Sequence, residues 1–168
     1  MRKFVLKSMI AVTLLTGVTE TIIYINTPTV EAKTITKKTI QKANKALKKA
    51  LKEDQGFATG KLDENGNPTD NGTPNQKYDY ATYVKSLTYQ SSGAVKVQMN
   101  DKLTSLNTAQ MDEIASKIQG LAGSTLMVEE IIKPEDTAKG VYLNFYYGKR
   151  AIGHSKLSDH KEFKWYTN

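Results

Sequence analysis

The sequence predicts an α+β fold: an antiparallel sheet of hairpins packed on one helix, preceded by a basic N-terminal helix. Three observations predict it. Period-2 alternation flanks Ser91-Ser92-Gly93 and returns near the C-terminus. Between these runs, residues 107–122 carry a helical apolar stripe behind a full capping signature. Ahead of them all lies a lysine-rich stretch at helical period. Strands before and after one helix, joined by tight turns, place the sheet on that helix.

The chain has 168 residues, no cysteine, 24 basic and 17 acidic side chains. This excludes a disulfide-stapled mini-protein, a cysteine-ligated metal centre and a thiol nucleophile. Residues 1–32 read as a secretory signal peptide. Arg2, Lys3 and Lys7 form a positive start, Met9 to Val18 an apolar run, and Val30-Glu31-Ala32 a cleavage site with small residues at the right places. Glu20 interrupts the apolar run, which is too short to span a bilayer. Removing three bases (Arg2, Lys3, Lys7) and two acids (Glu20, Glu31) from 24 and 17 leaves 21 and 15, so the expected product keeps a net charge of +6. With no cysteine for a lipid and no apolar tail after Trp165-Tyr166-Thr167-Asn168, that product is expected to be released.

Arg2-Lys3-Phe4-Val5-Leu6-Lys7-Ser8 followed by Ala11-Val12-Thr13-Leu14-Leu15-Thr16-Gly17 resembles the signal peptides of small staphylococcal exoproteins. The absence of cysteine from an exported chain agrees with a Gram-positive origin. The resemblance covers only about the first twenty residues. It implies a virulence or host-interaction factor that binds a host protein.

Residues 34–54 read as a helix in which Ile40, Ala43, Leu47, Ala50 and Leu51 form one stripe. Lys37, Lys38, Lys42, Lys45, Lys48, Lys49 and Lys52 occupy the remaining surface. Thr36 or Thr39 is the expected cap, and Gly56 the expected stop. Counting Lys33, residues 33–55 hold eight lysines against Glu53 and Asp54, whereas the 113 residues that follow hold 13 bases and 13 acids. The net charge of the expected product is therefore the charge of this helix. Its partner classes are an anionic membrane, a polyanion or an acidic protein surface.

Residues 56–77 contain two Asn-Gly steps, Pro68 and Pro74, and read as a flexible tether. The helix of residues 33–55 would then be a semi-detached arm beside an α+β domain at 78–168. Asp63, Asn65 and Asn67 fit the first ligands of an EF-hand loop, but Pro68 and Pro74 stand where its Gly and its bidentate Glu belong, so no calcium site is expected.

Within the domain, Tyr83, Lys85, Leu87 and Tyr89 alternate with Thr82, Val84, Ser86 and Thr88. Val95, Val97 and Met99 alternate with Lys96 and Gln98, making a hairpin. Asn107 and Gln110 form a capping box with Leu106 and Met111 as its hydrophobic staple. Met111, Ile114, Ala115, Ile118, Leu121 and Ala122 are the expected buried face, and Gly123 the expected stop. Residues 124–132 are apolar without a clear period and read as strand or helix. Val141 to Tyr147 reads as a strand, Gly148-Lys149-Arg150 as a turn, Ala151 to Ser155 as the return, and Glu162 to Tyr166 as a last strand.

Lys139 to Tyr146 shares its Gly140 with the RNP1 strand of RNA-recognition modules, but Val141 and Tyr142 break that pattern, so no nucleic-acid module is read. His154, Ser155, Asp159 and His160 are the residues with catalytic or metal-binding chemistry. His154 and Ser155 are adjacent and would face opposite sides of a strand. No nucleophile elbow or metal-binding histidine spacing accompanies them. No enzyme, cofactor or metal is therefore expected, with a secreted hydrolase or small lytic factor using the His154, Asp159 and His160 region as the alternative. Exposed Tyr, Trp and Arg favour binding anchors, which selects Tyr146, Tyr147, Arg150, Trp165 and Tyr166 as the partner surface. The expected function is occlusion of a protein partner by that surface, with the lysine arm as a second contact linked through the tether. Polyanion or membrane-surface binding by the helix alone is a further alternative.

Overall fold

A computed structural model describes residues 35–166. The proposed signal peptide lies outside them. The first helix, α1, spans Lys37–Ala58. Thr36 caps it, its hydroxyl oxygen accepting from the Thr39 amide at 3.1 Å. The helix continues through Gly56, the expected stop, and ends after a further two residues. Leu62 packs over the bare backbone of Gly56, where a Cβ would collide with its side chain. Helix α1 buries Ala43, Leu47, Leu51 and Ala58.

The tether expected over residues 56–77 is instead a folded loop. The Asp63 carboxylate accepts from the backbone amides of Asn65 (2.9 Å) and Asn67 (2.8 Å), and Leu62 bridges Pro68. These amides, that of Asn67 foremost, hold the Asp63 carboxyl below the usual carboxylate range. Gly60 and Gly72 approach so closely that a Cβ on either would strike the other's carbonyl. The loop closes on the helix that it leaves: Asn75 donates its amide to the Phe57 carbonyl, and Phe57 stacks on Tyr78 at 4.9 Å. A 3-10 helix, Gln76–Tyr83, leads into the sheet.

The sheet runs in the order β1 (Val84–Tyr89), β2 (Val95–Met99), β3 (Leu143–Tyr147), β4 (Arg150–Ser155), β5 (Phe163–Trp165). Three of its pairings are antiparallel as predicted, but β2 and β3 are parallel. The reason is the insertion between them. A second short 3-10 helix, Asp101–Ser105, is followed by α2 (Thr108–Val128) and α3 (Pro134–Lys139), which carry the chain back to the end where β2 began. A bulge between Val84 and Ser86 resets the alternation of β1, so Val84, Leu87 and Tyr89 point inward and Lys85 outward.

The capping box of α2 forms as read: Asn107 Oδ1 accepts from the Gln110 amide (3.0 Å), and Gln110 Oε1 accepts from the Asn107 amide (2.9 Å). Gly123 does not end the helix. It is buried, and Thr137 and Val141 pack against its face. Residues 124–128 are thus helical, and Glu129 caps them. Buried Gln119 donates to the carbonyls of Val141 (2.8 Å) and His160 (2.7 Å), tying α2 to the start of β3 and to the C-terminal loop.

Helices α1 and α2 lie on the same side of the sheet, and a single core joins Leu47 and Leu51 of α1, Ile118 and Leu126 of α2, and Val97, Leu143 and Phe145 of the sheet. Helix α1 is therefore no semi-detached arm, and the described residues form one compact unit. It also seals the edge of the sheet. Asn44 accepts from the Tyr89 amide at 2.6 Å and donates to the Tyr89 carbonyl at 3.3 Å; Gln55 donates to the carbonyls of Ala81 and Val84. Tyr80 donates its hydroxyl to Asp54. Burial outweighs that bond and pushes the Asp54 carboxyl above its ordinary value, and the same burial, with Asp54 nearby, raises Tyr80.

Two outcomes follow. Leu47 is fully buried, so Leu47→Ala should cost about 3 kcal/mol in urea unfolding, and a chain beginning at Tyr78 should show no cooperative transition at all. If that shorter chain unfolds cooperatively, α1 is not part of the core. Asp54 holds its proton more tightly folded than unfolded, so its contribution is complete below the ordinary carboxylate range and is lost as pH rises through the raised value. Asp54→Asn should therefore gain stability relative to the parent as pH rises through that window, read from unfolding midpoints across a pH series.

Candidate functional site

Because both long helices cover one side of the sheet, its other side is open among the described residues. The outward positions follow from register. One row crosses Thr88, Lys96, Asn144, His154 and Lys164, and a second crosses Ser86, Gln98, Tyr146 and Ala151. All are exposed or half-buried. None of the five strands contains an acid, whereas they contain Lys85, Lys96, Arg150 and Lys164. The 13 acids that neutralise residues 56–168 stand on helices and loops instead.

Aromatic side chains cluster on this open side. Lys96 Nζ sits 4.6 Å from the centroid of Tyr146, a cation–π contact between neighbouring strands. Tyr142 stacks with His154 at 6.1 Å and meets His160 edge-on at 5.2 Å, and Tyr166 lies 5.7 Å from His154. Burial, and then the neighbouring Tyr166, raises the Tyr142 hydroxyl above the usual phenol range. Next to this cluster a groove of about 640 Å³ opens between the β1–β2 turn and the residues around α3. Ala94, Ile132, Lys139, Tyr142 and His160 line it, and the highly exposed Leu157 stands at its rim.

The predicted anchors divide between the two faces. Tyr146 and Tyr166 face outward. Arg150 is exposed at the β3–β4 turn. Tyr147 points inward and packs against the core. Trp165 also points inward. Its ring lies 4.8 Å from Phe145, its Nε1 donates to Asp112 Oδ1 of α2 at 2.7 Å, and it covers Gly153, where a Cβ would enter the indole. Trp165 joins sheet to helix and is not a partner anchor. The seven predicted lysines are all exposed on α1; Lys42 is held by Glu129, at 2.7 Å from its carbonyl and 3.2 Å from its carboxylate.

The chain matches no protein-family model, no curated protein and no solved structure.

The residues with catalytic chemistry are not brought together. Ser155 is fully buried and its Oγ accepts from the Leu143 amide at 3.0 Å, on the opposite side of β4 from His154. His154 Nδ1 lies 2.9 Å from the Tyr142 hydroxyl and 2.8 Å from the Ser155 carbonyl. His160 Nδ1 donates to the Gly140 carbonyl at 2.9 Å. The Asp159 carboxylate accepts from the Lys161 amide. Each group bonds to backbone, His154 also to the Tyr142 hydroxyl, and among the described residues no three His, Asp or Glu side chains gather as a metal site would require. Lys96, Tyr142, His154 and Lys164 were not among the partner-surface residues selected from the sequence, where His154 was read only for catalytic or metal chemistry. The signal was present in the alternation of each strand, but joining the rows needed the pairing of β2 with β3 across more than forty residues.

The two classes of aromatic separate by experiment. Trp165→Phe keeps an aromatic ring, though a smaller one, and leaves Asp112 without its donor, and should lower stability by about 2 kcal/mol in urea unfolding. Tyr166→Ser, at a residue 48% exposed, should leave the unfolding midpoint nearly unchanged.

Proposed function

We propose that this chain is a secreted, non-enzymatic binding protein of the host-interaction type, and that it acts by occluding an acidic protein surface with the open face of its sheet. The observation that carries the reading is the segregation of charge. Five strands without an acid present Lys96 and Lys164 beside Tyr146, Tyr142, His154 and Tyr166. Flat aromatic rings with fixed neighbours give contact area at little entropic cost, and lysines around them favour an acidic partner and speed its approach. The groove beside Tyr142 and His160 would receive one apolar side chain of that partner. Secretion and the host-directed role are supported by the residues 1–32 pattern and its resemblance to staphylococcal exoprotein signals.

The folded loop and the packed α1 replace the tethered arrangement expected from sequence. The lysines of α1 stand opposite its buried stripe, on the helical side of the molecule, so a flat partner on the open sheet face leaves them free.

Affinity capture from host extracellular fluid should retain a specific protein on the parent, and lose it on Lys96→Glu/Lys164→Glu, with both proteins unfolding at the same midpoint. The bound protein should elute as salt rises. Equal capture by parent and variant would remove the open sheet face from this reading.

A further inference from the structure

We propose that the exposed ridge of α1 is a sequence-independent binding surface for the phosphate backbone of duplex DNA. The surface is separate from the open sheet face, and the inference does not rest on that face having a partner. At ~100° per residue, Lys37, Lys38, Lys42, Lys45, Lys48, Lys49 and Lys52 all fall within about 140° of arc. The centre of that arc is opposite the stripe of Ala43, Leu47 and Leu51, which the core fixes in place. The arc is therefore a rigid ridge and not one face of a free amphipathic helix. It is about 22 Å long at ~1.5 Å rise per residue. One strand of a duplex presents a phosphate every ~3.4 Å of its axis, or about six over that length. Lys42 is held by Glu129. Among the described residues the other six lysines have no acidic partner, which leaves six ammonium groups for about six phosphates.

The ridge also lacks what other anionic partners require. Insertion into a membrane interface needs the apolar stripe of an amphipathic helix, and here that stripe is buried in the core. Single-stranded nucleic acid is held by aromatic platforms, and a protein hot spot needs a desolvated anchor; residues 37–52 contain no aromatic side chain. Lysines without arginine act as point charges and give no bidentate readout of bases, so binding would not depend on base sequence.

The test is fluorescence anisotropy of the folded protein with a short random-sequence DNA duplex across a salt series. With six lysines engaged, log K should fall against log salt with a slope of about −5, a loss of about a thousandfold between about 50 and 200 mM salt. Lys45→Gln/Lys49→Gln should bring the slope closer to zero by about 2 with the unfolding midpoint unchanged. Lys96→Glu/Lys164→Glu, on the other side of the molecule, should keep the parent's slope. The proposal is overturned by absence of binding at low salt, by a slope that the α1 variant does not change, or by tighter binding to phosphatidylserine vesicles or heparan sulfate than to the duplex.

Discussion

The structure depends on how α1 closes the free edge of β1. Leu47 and Leu51 bring the apolar stripe of the helix into the core, while Asn44 pairs with both backbone groups of Tyr89 as a neighbouring strand would. An exposed edge strand offers unpaired amides and carbonyls to any other chain. Here a side-chain amide occupies one such position and Gln55 two carbonyls further along. The polar contacts set where the helix lies and the apolar ones supply most of the stabilisation, because burial of Leu side chains outweighs the net gain of single hydrogen bonds. The opposite edge, β5, is only three residues long and offers little to pair with.

That placement decides what faces solvent. Both long helices lie on one side of the sheet, so among the described residues its other side is open, and acids are absent from the five strands. A balanced count of 13 bases and 13 acids over residues 56–168 therefore conceals a basic sheet face. The same placement turns the lysines of α1 outward on the helical side. The molecule carries two basic surfaces of different character: one flat and aromatic, one narrow, convex and without rings. An aromatic surface suits a folded protein partner, whereas a row of exposed ammonium groups without rings suits a polyanion.

The histidine cluster shows why residue type alone is a weak guide to chemistry. His154, His160, Ser155 and Asp159 lie within seven residues of one another, yet each binds a backbone group or, for His154, also the Tyr142 hydroxyl. Adjacent residues on a strand face opposite sides, which separates His154 from Ser155 whatever the rest of the fold does. The loop at residues 59–75 carries a related lesson. Its composition is that of a tether, but Asn and Asp side chains that favour disorder in isolation also bond to nearby amides, and Asp63 does so within four residues.

The sequence by itself determined the local features: a threonine cap on α1 at Thr36 or Thr39, the capping box at Asn107 and Gln110, the β1–β2 hairpin, the α+β class and the identity of the lysine face. These are set by contacts within a few residues, so their signals lie within a few residues. Tertiary structure alone decided that α1 belongs to the core, that β2 and β3 run parallel, that Gly56 and Gly123 pack inside helices rather than ending them, and that Trp165 turns inward to Asp112 while Tyr166 turns outward. Each of these depends on which distant surface meets the residue. A glycine is a helix stop beside solvent and a close-packing site beside Thr137 and Val141, and only the long-range arrangement of the chain distinguishes the two.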